Sequence, residues 1–480
     1  MAELSSMKED SMSEPTTKGV DTLLGNPRKA ILKLSIPMII AMAVQTAYNL
    51  ADAVWVSGLG SDSMSAVGFF FPFFFLIMAL AAGIGIGGGA AISRRIGARD
   101  KEGADNVADH VLVLMLLIAV IFTVPTYVLL PGIFRSMGAG EVADLATGYG
   151  RIIIAFSLII FFSNNAGAIL RAEGDTKRAM YAMVLGSVLN IFLDPLFIYG
   201  FGLGVAGAAW ATMISFSCTA VLLFYWLFLR KNTYVTIRLR QFRFKLDIFK
   251  DVMKVGFPAT LQQGSMAFNM MFLNIIVVSV GGTDGVAVFS TGWRVVMIAV
   301  LPLMGIASAL IPVAGAAYGA RSYRKVKVAL YHAIRYGLIF EIFISVLVFI
   351  FAGYIVFIFT WSPESQHLRP DLVIFLRMFS LMSFSAAFGM LSGAVFQAIG
   401  KGFNSLLVTI FRTIIFSLAF AWLFGIVLDW GLMGVWIGIL TGNAIGAIIA
   451  YIWIVIHVRG LESGKIVTIE HQDKASSRIE

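Results

Sequence analysis

Gln45, Asn49 and Asp52 lie inside an apolar stretch, Ile36–Val56, at spacings of i, i+4 and i+7. On a helix that spacing puts all three on one face. A second acidic stripe comes at Asn190 and Asp194, four residues apart and just before Pro195. A carboxylate held in hydrocarbon costs about 2.5–3.5 kcal/mol on insertion scales, so a cation, a proton or a polar partner has to offset it. Two carboxylates, the Asn190 amide, the Thr212 hydroxyl and the Ile191 carbonyl, whose usual donor Pro195 removes, make an oxygen-rich set. Such a set suits a hard monovalent cation such as Na⁺, with Asp52, Asn190, Asp194 and Thr212 as ligands. The same carboxylates can take up protons instead.

Only membrane-crossing elements can position these groups together. Of 480 residues 59% are hydrophobic and 13% charged, with a mean hydropathy of +0.87; a soluble chain would carry about 25% charged residues. Apolar runs at 31–57, 64–92, 107–130, 143–170, 178–200, 204–229, 252–280, 284–314, 328–358, 372–399, 404–428 and 432–457 are each long enough to cross. The expected fold is an all-α polytopic membrane protein with twelve transmembrane helices.

The net charge of +9 falls in alternate loops, which reads as topology and excludes a nucleic-acid partner. Arg94, Arg95, Arg99 and Lys101, then Arg171, Lys177 and Arg178, then the linker 230–254, then Arg321, Arg324, Lys325 and Lys327 alternate with loops 58–63, 201–203, 281–285 and 429–431, which lack Lys and Arg. Both termini are therefore expected in the cytoplasm, with the chain multi-pass in a cell membrane. In this topology Asp52 and Asp194 each lie about 9 Å from the outer end of their helix, and Thr212 about 12 Å. The three share one depth.

The chain divides at its middle. Lys33-Leu-Ser-Ile-Pro37 returns as Lys254-Val-Gly-Phe-Pro258, Ile96-Gly-Ala-Arg99 as Tyr318-Gly-Ala-Arg321, and Gly204-Val-Ala-Gly207 as Gly431-Leu-Met-Gly434, at offsets of 221, 222 and 227. Two six-helix halves, 27–229 and 255–457, are expected around a pseudo-two-fold axis, with a cavity between them. A basic cytoplasmic linker, 230–254, joins them, and disordered cytoplasmic tails, 1–26 and 458–480, flank them. The single cysteine, Cys218, permits no internal disulfide and reads as a packing residue.

Several motifs in combination resemble the multidrug and toxic compound extrusion (MATE) family over about residues 25–458. They are Pro37…Asn49-x-x-Asp52…Val56-Ser57, Ile96-Gly-Ala-Arg99, Leu170-Arg-Ala-Glu-Gly-Asp175, Asn190-x-x-x-Asp194-Pro195 and Gly204-Val-Ala-Gly207-Ala-Ala-Trp-Ala-Thr212. The resemblance implies a MATE-like, pseudo-symmetric fold and a secondary antiporter, not an enzyme. Such a carrier exports cationic or amphipathic organic compounds in exchange for Na⁺ or H⁺. Coupling would fall to Asp52, Asn190, Asp194 and Thr212. The chain carries Gln262 and Gln263 and no carboxylate between Phe257 and Gly282, which points to the DinF-like branch, of prokaryotic or archaeal type, and puts a second-half cation site in doubt.

Substrate contacts are expected from Gln45, Asn49, Tyr149, Asn164, Asn165, Met183 and Ser187, since amides beside flexible thioethers suit varied amphiphiles. Pro37, inside the first span, is a candidate hinge. Gly83–Gly89 lies within a membrane segment with no strand before it, so it reads as close helix packing and not a nucleotide loop. Glu341 and Arg377 read as structural charges. No cofactor and no oligomeric partner is expected, the working unit being a monomer in the bilayer. A lipid-linked saccharide flippase, with Arg294 and Arg412 for the pyrophosphate, is the alternative reading.

Overall fold

The computed structural model describes residues 16–464 apart from 231, 362 and 383. Among these, ten helices are long and apolar enough to cross a membrane, and two bent helix pairs bring the spans to twelve. The described secondary structure is helical throughout, with no strand.

Caps in the sequence fix where the helices begin. Thr17 opens α1 (Lys18–Leu24), and Asn26 Oδ1 accepts from Arg28 N at 3.0 Å where Pro27 starts α2 (Pro27–Ser57). After α3 (Ser61–Gly97), Asp100 caps α4 (Lys101–Ser136) through Gly103 N at 2.8 Å. The fourth span is α5 (Ala143–Ala155) followed by α6 (Ser157–Ala172), bent by 46°. Asp175 caps α7 (Thr176–Pro195), which continues as a π turn, and α8 (Gly204–Phe224) closes the half. Helix α2 stays continuous through Pro37.

The second half repeats this course. Helix α9 (Leu246–Ala299) reverses at Gly282, whose φ of +57° and ψ of −152° only glycine takes readily. Then come α10 (Leu301–Gly319), α11 (Tyr323–Phe359), the bent pair α12 (Arg369–Met382) and α13 (Ser385–Ala398), α14 (Gly402–Thr409), α15 (Ser417–Trp422) and α16 (Gly431–Glu462). Left-handed backbone recurs in matched pairs at Gly60 and Gly282, Arg99 and Arg321, Gly174 and Gly400, and Gly204 and Gly431. Arginine pays about 1–2 kcal/mol there, yet both copies keep it. The repeat thus extends to the backbone of the turns.

The end of the molecule carrying Arg94, Arg95, Arg321 and the linker is its basic end, and here the halves close on each other. Gly97 lies against the Ala316 carbonyl and Gly319 against that of Arg94, with no room for a Cβ at either. Gly83 and Gly87 cross α9 at Gly256, Thr260 and Val252. The glycine run is helix packing, as its sequence setting implies. Arg94 fastens the seam, bonding Asp251 at 2.7 Å and the Ala398 carbonyl at 3.0 Å. At the opposite end each half packs on itself. Trp55 O accepts from Tyr199 Oη at 2.6 Å in the first half, and Gly281 meets Leu432 in the second. The cleft therefore opens away from the basic end.

Three sequence boundaries move. Residues 18–24, assigned to a disordered tail, form α1 across the seam, with Val20 in the first half's core and Leu23 in the second's. Lys325 Nζ holds the Leu24 carbonyl at 2.8 Å. The linker ends at 245, because α9 begins at Leu246. Helix α16 runs past 457 to Glu462. Residues 1–15 and 465–480 of the expected tails lie outside the described residues.

The linker is also anchored to the first half. Val235 N donates to Glu173 Oε2 at 2.9 Å, Thr236 N to Asp105 at 2.8 Å, Arg238 N to Asp109 at 2.9 Å and Lys245 N to His110 Nε2 at 2.8 Å. Buried acids on the helix ends thus take up backbone N–H groups that would otherwise lack partners. Burial pushes the Glu173 carboxyl up to about 8, opposed by the Val235 N–H and reinforced by Asp175.

Candidate coupling site and central cavity

Asp194 is fully buried near the end of α7, beside Asp52 and Asn190, and neither of its carboxylate oxygens receives a hydrogen bond of good geometry. Asp52, half-buried on α2, lies close enough to interact with it directly. One turn back on α7, Asn190 donates from Nδ2 to Thr212 Oγ1 on α8 at 3.3 Å, while its own Oδ1 is unpartnered. Asp52, Asp194 and Thr212, which the sequence placed at one depth, converge with Asn190.

Buried polar atoms nearly always find partners. Three unpartnered oxygens within one turn, beside a hydroxyl and a second carboxylate, fit a hard cation or a proton. They do not fit a site built to tether a transition metal, and no cluster of three or more His, Cys, Asp or Glu suited to a metal occurs among the described residues.

Beside this site, between the halves, is a cavity of about 500 Å³. Gln45, Asn164, Met183 and Ser187 line it, as expected, together with Asn190 and Thr212. Asp52 and Asp194 stand just outside its lining. The other expected contacts are elsewhere. Asn49 is exposed and off the lining. Asn165 is buried in its own helix, donating to the Phe161 carbonyl at 2.9 Å. Tyr149 is buried against Phe70, ring centroids 5.5 Å apart, beside Asp52 and Asp194 and off the lining. A strict helical stripe predicts direction but not which neighbour covers it.

Tyr48 and Arg171 also line the cavity, beyond the contacts expected from sequence. Tyr48 sits on α2 between the cavity and the carboxylates; its i−4 spacing from Asp52 was the available signal. Arg171 had counted only as a topology charge. Aligning the two left-handed turns pairs Leu170-Arg-Ala-Glu-Gly174-Asp with Phe396-Gln-Ala-Ile-Gly400-Lys. Arg171 thereby corresponds to Gln397, and both line the cavity. In the second half Gln397 Nε2 donates to Gln262 Oε1 at 3.0 Å, and Gln262 Nε2 to Thr409 Oγ1 at 2.6 Å. The glutamines thus form a closed neutral network.

The second half has no acidic counterpart. Phe416 and Phe420 stand where Asn190 and Asp194 would fall, and their backbones are packed against Gly442 and Gly438. Arg412, 7% exposed with Nε unpartnered, lies between Gly389 and Gly446 and off the cavity. Arg294 is exposed and also off it, so neither arginine named for the flippase reading is placed for a pyrophosphate in the cavity. Glu341 is 1% exposed and unpartnered, and Arg377 covers the Phe349 ring at 5.5 Å.

Twelve spans in two like halves, a cavity on their axis and unpartnered acids beside it define a carrier that moves solutes across a membrane. The MatE family model matches the chain twice, at residues 37–196 and 258–423, one match to each half. The chain belongs to the MatE family of transporters, and is not an enzyme. It is similar to the multidrug export protein MepA of Staphylococcus saprophyticus, 30% identical over 288 residues, which are 59% of this chain and 63% of that protein. It is also similar to the probable multidrug resistance protein NorM of Thermotoga maritima, 27% identical over 427 residues, 86% of this chain and 89% of that one. Among solved structures, a multidrug resistance MATE transporter in an outward-facing conformation superposes with a TM-score of 0.91 at 48% identity, covering 94% of this chain and all of that one.

Proposed function

We propose that the chain is a secondary active multidrug exporter that exchanges amphipathic organic compounds for Na⁺ or H⁺. The observation that carries this is the Asp194 carboxylate, wholly buried and unpartnered beside Asp52 and the free Asn190 Oδ1. Buried acids persist without partners where a mobile ion supplies the partner. Asp52, Asn190, Asp194 and Thr212 would hold a Na⁺ through their oxygens, or the carboxylates would take protons. Because Asn190 and Thr212 also line the cavity, occupancy of the site changes the cavity wall itself.

In this reading the basic end faces the cytoplasm, both termini are cytoplasmic, and the described state opens to the outside of a cell membrane. Entry of an ion relieves the repulsion between Asp52 and Asp194 and lets α2 repack on α7. Pro37 is the hinge of that movement, since it breaks the backbone ladder of α2 near the point where Ile39 meets Gly305 of α10. The halves then rock about the central cavity as a monomeric unit. One charge entering across ~100 mV supplies about 2.3 kcal/mol, enough for about 50-fold accumulation. The multidrug names of the relatives support this class of cargo. The cavity offers an amphipathic compound amides and thioethers, while the carboxylates stay behind the wall.

Reconstituted vesicles test the coupling. Imposed Na⁺ and pH gradients, applied separately, should differ in driving efflux of a fluorescent dye, and Asp52→Asn and Asp194→Asn should each slow the driven flux at least tenfold. Normal driven flux in both variants would rule the site out.

A further inference from the structure

Among the residues lining the cavity one carries a formal charge, and it is Arg171. Its Nη1 lies 3.2 Å from where a Cβ on Gly167 would sit. The guanidinium is therefore turned back along α6 into the cavity, and does not extend past the helix end toward the basic surface. A surface-seeking arginine would do the reverse. Arg171 has no hydrogen bond or ion pair to any described residue. The acids close to it in sequence are engaged elsewhere: Glu173 with the linker at Val235, and Asp175 with Arg178 at 3.3 Å. Asp194 is distant, about 27 Å along α7 from its start.

An arginine held among membrane helices is ordinarily paired. Its planar fork of donors matches the oxygens of a carboxylate, sulfonate or phosphate better than any neutral group. The rest of the cavity wall is uncharged, and Met38, Met42, Met78, Met183, Met304 and Met390 from both halves give it adaptable apolar surface among neutral amides and hydroxyls. We propose that Arg171 is the anion-binding group of the substrate site, and that the preferred cargo is an amphiphile with one anionic head and an apolar body small enough for about 500 Å³. This rests on the cavity being the substrate cavity of the exporter proposed above. The head binds at the deep, basic end of the cleft and the body lies on the methionines. The second half offers Gln397 at the matching place, already engaged by Gln262, so the site is one-sided.

Two xanthene dyes of similar shape and opposite charge provide the test: fluorescein, an anion, and rhodamine 6G, a cation. Binding to the purified full chain in detergent is read by fluorescence polarisation. Fluorescein should bind at least tenfold tighter than rhodamine 6G. Arg171→Gln, which copies Gln397, should remove that preference, and Arg171→Lys should keep part of it. Gly167→Asp gives a second route, because a carboxylate one turn before Arg171 pairs with it while the arginine stays. A Cβ at 167 meets only the Arg171 head, so this variant should fold, and it too should lose fluorescein at least tenfold. Tighter binding of rhodamine 6G to the unaltered protein, or fluorescein binding unchanged in Arg171→Gln or Gly167→Asp, overturns the proposal. Failure of the exporter reading looks different: neither dye would move in vesicles under any gradient, whatever their order of binding.

Discussion

The two halves share a backbone and differ in chemistry. Where the first half places Gly186 against Thr219 and leaves open space that belongs to the cavity, the second places Arg412, with Gly389 and Gly446 making room for it. Where the first has Asn190 and Asp194, the second has Phe416 and Phe420 packed on glycines. At the inner turn, Arg171 and Glu173 oppose Gln397 and Ile399. The repeat supplies the axis between the halves, and only the first half has a lobe that is open and polar. The other is filled by Arg412 and by aromatic residues packed on glycines.

The largest effect should come from giving the first half the second half's residue. In Gly186→Arg the new side chain begins against Thr219 Oγ1 and must fill the lobe between α7 and α8. Dye binding and transport should both be lost, with a helical spectrum and monodisperse elution checking that the variant folds with Thr219 turned aside. Retained binding in the variant would mean that the lobe is not part of the substrate site.

The inner turn gives the next contrast, one that depends on pH. Glu173 has its folded value raised to about 8 from a usual 4.5. Between those values the folded protein holds a proton that the unfolded chain gives up, so stability is greatest below about 4.5 and falls as pH rises toward 8. The slope is at most about 1.4 kcal/mol per pH unit. Glu173→Gln keeps an acceptor for Val235 N and removes the titration. Melting temperatures from pH 5 to 9 should fall less steeply in that variant than in the parent; equal slopes would show that Glu173 does not titrate in this window.

Much of this architecture was legible in the chain. Apolar run lengths gave twelve spans, and three short repeats gave the halves, because both depend on local composition and order. The convergence of Asp52, Asp194 and Thr212 followed from depth, since helical rise is a fixed length. What escaped depends on how helices pack. Asn49 and Asn165 have the right type and spacing, but neighbouring helices decide whether a face meets the cavity. Arg171 was read by its loop, where charge reports topology, although the direction of its side chain decides its role. Helix α1 is too short to show a clear period, and its place across the seam comes from Val20 and Leu23 finding separate cores. The linker's basic charge hid the fact that its backbone is held by buried acids.

The smallest effect tests whether an unpartnered acid is functional wherever it occurs in this fold. Glu341 on α11 matches Asp194 in burial and in lacking a partner, but it stands in the filled half, off the cavity. It does not border the cavity, so its burial is a cost, offset by the packing around it. Glu341→Met keeps the volume and removes two unpartnered oxygens, which should raise stability by about 1–2 kcal/mol and leave gradient-driven efflux unchanged. The same change at Asp194 should abolish driven efflux. If Glu341→Met also uncouples transport, the ion path extends into the second half and the asymmetry between the halves is one of residue type, not of role.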